Sequence, residues 1–477
     1  MTIRYQAQTL FALIVALLLL SGCAVGPDYV SPQVKQDLAN WEQSLEAGFK
    51  TSEAELPQWW KNLDDTRLNQ LVMLALENNL DLAQSRSRIR EARAQRNIAA
   101  AAGIPSLSAR ATTQSQKSGD TPTGSLYSSG FDAAWELDVF GRVKRSIEAS
   151  SADLDAKVES LRDVQVSLLS ELALNFIDVR SFQNRLRLAE ANVELQEKTY
   201  SMVKNRLDLG LATILDIREA ESNLANNKAQ IPQIKTGLSR AMHRIAVLVG
   251  QKPGKLNQSL AEPGVIPMAP PEIPIGIPAD LLRRRPDIRM AERELAAQTA
   301  RVGVAIAELY PRFTLSGALS FQATDSANLF TTLSRALSFG PSLQWNIFSG
   351  GSIRNNITVQ NERQKQALLR YEKSILTALE EVENGMVAYA RELDRRENML
   401  TAAVASRESV RLAESMYKDG LTDFSRVLDA QRNLFTHEDQ LADSDAEVTR
   451  NLIRLYKALG GGWKDSTESM DPAKKSN

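Results

Sequence analysis

The sequence is written twice, and the two copies are punctuated at matching places. Gly210-Leu211 matches Gly420-Leu421, Asn223-Leu224 matches Asn433-Leu434, Arg240 matches Arg450 and Gly250 matches Gly460, all at an offset of 210 and without a gap. Trp135 falls on Trp345 and Gly141 on Gly351 at the same offset, and Pro105 matches Pro311 after a small shift. Residues 251–278, which separate the copies, hold seven prolines and read as an extended connector. A length of 477 residues would by itself suggest two or three domains. The repeat overrides that count, because each half is one unit built around the same elements.

Within each half one stretch lacks the residues that end helices. Residues 142–209 contain neither Gly nor Pro over 68 positions, and 352–419 contain no Pro and only Gly385. Leu172, Val179, Leu186, Val193, Tyr200 and Leu207 recur every seven residues, with Phe182, Ala189 and Val203 three further on. That is a coiled-coil seam. At 1.5 Å per residue the helix is roughly 100 Å long, far beyond the usual limit of about 25 residues for a globular helix. Shorter helical patterns cover 67–102, 214–249, 279–309 and 424–459.

Four segments alternate with period two instead: about 106–117, 126–140, 312–322 and 336–348. In the second, Phe131, Trp135 and Leu137 are apolar while Asp132, Glu136 and Asp138 are charged. Segments of about ten residues with one apolar and one polar face fit a membrane β-barrel with a wet lumen, although a soluble sandwich alternates in the same way. The barrel reading puts Asp132, Glu136 and Asp138 in the lumen, where they would make the wall negative and favour cations. It puts Phe131, Trp135, Phe339 and Trp345 in a lipid-facing belt. Four strands cannot close a barrel, since bacterial barrels start at eight, and an open edge in lipid costs several kcal/mol per unpaired group. The strands are therefore expected to be shared, and a homotrimer giving twelve strands is the simplest closed solution.

The lone cysteine lies in "LLLLSGCAVG". Arg4, an apolar run of eleven residues over 10–20, and small Ser21 and Gly22 have the layout of a secretory signal. The run is too short to span a bilayer. Leu20-Ser21-Gly22-Cys23 looks like a bacterial lipobox, which makes Cys23 the lipidated first residue of the mature chain, carrying an N-palmitoyl and an S-diacylglycerol group. Ala24, in place of an aspartate, favours the outer membrane. No other cysteine is present, so no disulfide is needed in an oxidising compartment.

Other classes of function find no support. With 57 basic and 58 acidic residues the chain is near neutral, giving no electrostatic case for nucleic acid. His243 and His437 lack metal-ligand spacing and read as packing or surface residues. Arg283-Arg284-Arg285, followed by Pro286-Asp287, reads as a helix start with local ion pairs. There is no Gly-rich phosphate loop, no enzyme signature and no sign of a cofactor other than the covalent lipid.

The lipobox with "CAVGPDYVSP", then "NLDLAQSRSRIREARAQ", "FDAAWELDVFGR", "RRRPDIRMAERELAAQTARVGVAIAELYP", "LQWNIFSGG" and "VLDAQRNLFTHEDQL…LYKALGGGW" resemble, in order and over nearly the whole chain, the TolC-like outer-membrane factors, in their NodT-type, OprM-like lipoprotein branch. The resemblance implies a mainly α, trimeric channel-tunnel: a twelve-stranded β-barrel in the outer membrane, continued by a coiled-coil α-barrel across the periplasm. It implies an exit duct for a tripartite pump, with a periplasmic adaptor and an inner-membrane transporter of the RND type as partners. Its periplasmic end would be gated by polar residues at the turns near Gly210 and Gly420. Asp216 and Asp429 match acidic tip positions; Asp423 and Arg426 join them, Arg426 standing where some relatives have a second acid. Arg426 could pair with Asp429 at i,i+3 or with Asp216 of a neighbouring helix. The expected organisation is a signal over 1–22, an N-terminal tether over 23–66, repeats over 67–250 and 279–460 around the connector, and a polar tail over 461–477. Export of drugs or other small toxic compounds, a type I protein-secretion duct and a structural coiled-coil lipoprotein remain the competing functions, the four amphipathic strands counting against the last.

Overall fold

The computed structural model describes residues 24–33, 38–42, 49–50, 56–117, 119, 123–268 and 273–464. Cys23 and the expected signal over 1–22 lie outside the described residues. The chain divides into two compact units, one of Met1–Val34, Arg86–Glu159 and Arg289–Ser374, the other of Lys35–Ser85, Ser160–Ile288 and Ile375–Asn477. The main helices are α1 (Thr66–Asn78), α2 (Leu80–Ala101), α3 (Arg142–Asp208), α4 (Ile214–Leu248), α5 (Pro286–Ala307), α6 (Ser352–Lys418) and α7 (Phe424–Ala458). The main strands are β1 (Ser106–Gln116), β2 (Gly124–Leu137), β3 (Arg312–Ala323) and β4 (Arg335–Gln344). Among the described residues no helix is long and apolar enough to cross a membrane.

The repeat is carried through to single hydrogen bonds. Helices α2 and α5 have 22 residues each, α3 and α6 have 67, and α4 and α7 have 35. The first pair is offset by 206 and the others by 210, because the loop inside the second hairpin is four residues longer. The sequence pattern over 67–102 reads as one helix, but the chain breaks at Asn79, whose Oδ1 accepts from the N–H groups of Asp81 and Leu82 and whose Nδ2 donates to the Leu248 carbonyl at 2.9 Å. The pattern over 279–309 breaks at the equivalent Arg285, which donates to the equivalent Ala458 carbonyl at 2.8 Å. Gly250 and Gly460 follow α4 and α7 with φ of 72° and 77°. A Cβ there would lie 2.5 Å from the Asn78 carbonyl oxygen and 2.8 Å from that of Arg284, so both positions need glycine for conformation and for space.

The second unit holds the main apolar core, with Trp59, Leu169, Leu172, Phe176, Ile177, Ile245 and Tyr456 fully buried. Each such side chain contributes roughly 1.5–3 kcal/mol of transfer free energy. Arg285 is not confined to local pairs: it binds Asp287 through two nitrogens and reaches Glu381 of α6 at 2.6 Å. The polar tail expected from Gly461 begins later. Gly461 and Gly462 are buried, Gln165 donates to the Gly462 carbonyl, and the Arg162 guanidinium lies 4.5 Å from the Trp463 ring centroid.

In the first unit β1–β2–β3–β4 form one antiparallel sheet in that order. Residues 24–33 of the tether are seated in the same unit. Arg145, with a side chain 3% exposed, binds the carbonyls of Val25 and Gly26 and the Asp28 carboxylate. Tyr29 donates to Glu292, and a Cβ on Gly26 would lie 2.5 Å from Gly303 Cα.

Candidate functional site

Strand register assigns every residue of the sheet to a face. Ala109, Phe131, Leu319 and Leu337 form one cross-strand row, and Leu107, Ala133, Gly317 and Phe339 the next. This face is apolar and open, Phe339 being 75% exposed and Leu337 80%. The opposite face carries Ser108, Asp132, Ala318 and Ser338 in one row and Glu136, Thr314 and Ser342 in another. Asp132 and Glu136 thus stand opposite Phe131 and Trp135, but neither is a free anion. Arg110 lies 3.8 Å from Asp132, and Arg142 binds both Glu136 oxygens at 2.9 and 2.7 Å.

Asp138 lies beyond the strand altogether. Strand β2 ends at Leu137, short of the 140 expected, because Asp138 accepts from the N–H groups of Val143 and Lys144 and so closes the first turn of α3. A carboxylate at a helix N-terminus is favoured by the exposed donors there. Of the three carboxylates expected to make a lumen wall negative, Asp132 and Glu136 thus face arginines and Asp138 caps a helix. Period two sets the face of a residue and says nothing of its partner.

The four belt residues separate into two pairs. Phe131 and Phe339 lie within the apolar face, whereas Trp135 sits near the end of β2 and Trp345 just past β4. Each indole N–H donates at 3.0 Å to a carbonyl just past the preceding helix, Trp135 to Gly103 and Trp345 to Leu309. Phe140 stacks on Tyr310 at 4.6 Å between centroids, adding aromatic area at the same end of the sheet.

The second candidate site is the pair of turns in the other unit. Gly210 and Gly420 have φ of 73° and 74°, and the next N–H reaches back five residues, from Leu211 to Arg206 and from Leu421 to Met416, each at 2.8 Å. These are glycine C-caps. Three residues after each glycine stands the N-cap of the following helix, Thr213 for α4 and Asp423 for α7. Thr213 and Asp216 cap α4 reciprocally, Asp216 N–H donating to Thr213 Oγ1 and Thr213 N–H to Asp216 Oδ2. Asp423 caps α7 by accepting from the Arg426 N–H. The Ser425 hydroxyl and that N–H hold the Asp423 carboxyl below its usual range.

Two of the four expected gate residues are thus committed to helix starts. Arg426 and Asp429 are exposed on the first turns of α7, and among the described residues they make no ion pair with each other. The turns close over an apolar cluster of Val203, Ala220, Tyr417, Phe424, Val427 and Leu428. Arg206 lies over the Tyr417 ring, 4.7 Å from its centroid, and donates to the Lys418 carbonyl. Burial pushes the Tyr417 phenol up, with Asp216 adding to the rise and Arg206 opposing it.

A buried polar layer adjoins this cluster. Gln196 Nε2 donates to Gln431 Oε1 at 3.1 Å, Asn223 Nδ2 to Gln196 Oε1 at 2.8 Å, and Gln431 Nε2 to Thr199 Oγ1 and Glu414 Oε1 at 3.0 and 2.9 Å. Gln196 and Gln431 are 2% and 1% exposed. Gln196 occupies the heptad column of Phe182, Ala189 and Val203, so a polar residue at an apolar seam position is the sequence signal for it. Gln431 carries a similar signal, following Phe424 and Leu428 on one helix face. His437 sits between α6 and α7, its Nδ1 2.7 Å from Ser406 Oγ.

One two-faced sheet with open edges, made of two hairpins related by the internal repeat, together with two 67-residue helices, defines the class. The family of outer membrane efflux proteins matches residues 71–251 and 277–461, most of both repeats, and the chain belongs to that family. It is 32% identical over 449 residues to Nodulation protein T of Rhizobium leguminosarum bv. viciae, covering 94% of this chain and 92% of that one. It is 31% identical over 466 residues to the solvent efflux pump outer membrane protein SrpC of Pseudomonas putida, covering 94% and 98%. Among solved structures the outer-membrane channel OprN superposes with a TM-score of 0.87 at 39% identity, over 92% of this chain and all of that one.

Proposed function

We propose that the chain is the outer-membrane exit duct of a tripartite efflux pump, carrying small toxic compounds handed on by an inner-membrane transporter of the RND type through a periplasmic adaptor. The observation that carries this reading is the sheet. It has an open apolar face, a polar opposite face and two edge strands with one neighbour each, a combination that is stable in lipid only when copies of the chain close a barrel. Three chains supply twelve strands. Cys23, lipidated, anchors the mature end in the outer membrane.

The same reading assigns closure of the periplasmic end to the turns after α3 and α6. Asp216 and Asp423 shape the turns through their capping bonds, while Arg426 and Asp429 are free to meet neighbouring chains. Contacts of this kind are individually weak, so a docking adaptor can replace them. Native mass spectrometry in detergent should show three chains per particle, and planar-bilayer recordings should show a pore. Arg426→Ala with Asp429→Ala should raise single-channel conductance several-fold with unchanged trimer yield. A folded monomer would overturn the shared barrel; unchanged conductance would remove these two residues from the gate.

A further inference from the structure

The two hairpins of the sheet end in loops of unequal length. Residues 117–123 join β1 to β2, whereas the longer 324–334 join β3 to β4 and fold into short helical turns at Ser326–Asn328 and Thr332–Ser334. The longer loop binds its own polar groups. Asp325 accepts from the Ala327 N–H, and the N–H groups of Leu329, Thr331 and Ser334 donate to the carbonyls of Ser326, Asn328 and Thr331. The buried Ser334 hydroxyl donates to the Asn328 carbonyl at 2.6 Å, with Thr331 Oγ1 2.7 Å away. Its apolar side chains are outside instead: Phe330 is exposed, and Leu333 entirely so. Polar groups turned in and apolar ones turned out suit a boundary where water is scarce.

Strand register shows which side of the sheet this loop covers. Beyond the row of Ala109, Phe131, Leu319 and Leu337, the same face continues with Ala111, Ser129, Phe321 and Arg335, then with Thr113, Tyr127 and Ala323. Phe330 packs edge to face on Phe321, with ring centroids 5.6 Å apart. The loop therefore leans over the apolar face, away from the face that carries Asp132 and Glu136. Tyr127, Phe321 and Phe330 make a second aromatic layer, at the end of the sheet opposite Trp135 and Trp345. From Tyr127 to Trp135, at ~3.4 Å per residue and a strand tilt of about 40°, the height is about 20 Å. That is close to the ~25 Å belt that aromatic girdles bound on both sides.

We propose that residues 324–334 are a lipid-contact loop, which lays Phe330 and Leu333 into the outer-leaflet boundary beside the apolar face and does not cap the outer mouth of the duct. This rests on the shared-barrel reading and adds the place and partner of one loop. Helices α2, α3 and α5 join the sheet at the Trp135 end, so in the duct reading this loop lies at the outer end. The face and the loop are continuous through the Phe321–Phe330 pair, so the lipid that covers one covers the other. Arg335, exposed in the same row as Phe321, brings a cation to the level of lipid phosphates.

Nitroxide labels on single cysteines test this in the full-length chain, because the sequence holds no cysteine besides Cys23. The protein is reconstituted in vesicles of phosphatidylethanolamine and phosphatidylglycerol. Each label's collision rate with oxygen, which partitions into lipid, is divided by its rate with a water-soluble nickel chelate. Phe339→Cys and Ser338→Cys, neighbours on opposite faces of β4, calibrate lipid and water. Leu333→Cys, at a fully exposed position that the fold does not depend on, should match Phe339→Cys, with a ratio at least threefold above that of Ser338→Cys. Phe330→Cys should fall on the same side. If Leu333→Cys reads like Ser338→Cys while Phe339→Cys reads as lipid, the loop contact is overturned and the barrel stands. If Phe339→Cys itself reads as aqueous, the lipid-facing assignment and the shared barrel fall, and the loop contact with them.

Discussion

Arg285→Met should expose how much of the second unit depends on one guanidinium. Arg285 has a side chain 8% exposed and holds Asp287, Glu381 and the Ala458 carbonyl together. Asp163 adds a further carboxyl nearby: burial pushes it up, with Asp287 and Glu381 adding and Lys457 and Arg285 opposing. Removing one partner of a buried pair costs about 3–5 kcal/mol. Asp287 is 31% exposed and Glu381 49%, so water screens part of the loss and the lower end applies, about 3 kcal/mol. At about 2 °C per kcal/mol for a large unit, the thermal midpoint in detergent should fall by roughly 6 °C near neutral pH.

The pH dependence follows from the sign at Asp163. Its folded-state pKa already lies above the ordinary value, and Arg285 opposes that rise, so removing the cation lifts it further. The folded form then binds a proton that the unfolded form has lost, and protonation favours folding. The deficit is full above the raised value and shrinks as pH falls through it. The loss should therefore be smaller in acidic buffer than near neutrality. A midpoint unchanged by the substitution, or a loss that grows on acidification, would refute this account of the clamp.

Two further substitutions address the buried polar layer and the tether. Gln431→Leu strands the Gln196 amide donor and the acceptors Thr199 on α3 and Glu414 on α6 and should cost about 1–3 kcal/mol by thermal unfolding; Gln196→Leu with Gln431→Leu should cost less than the sum of the single changes. Gly303→Leu fills the space where a Cβ already comes within 2.9 Å of Arg145 and should unseat residues 24–33. Chymotrypsin should then cut at Tyr29 at least several-fold faster than in the parent, and equal rates would count against the seating.

The sequence by itself determined what depends on local pattern and on the repeat. The unbroken 67-residue helices, the glycine turns at 210 and 420, and the alternation that separates Asp132 from Phe131 are all properties of neighbours along the chain. Tertiary structure decided the partners. Asp138 caps a helix, Glu136 is paired with Arg142, and Arg285 reaches α6 and the end of α7. Gln196 and Gln431 meet although 235 residues separate them. Periodicity fixes the direction in which a side chain points, but a hydrogen bond or ion pair also needs a second group at the right distance, and that distance exists only once the chain has folded.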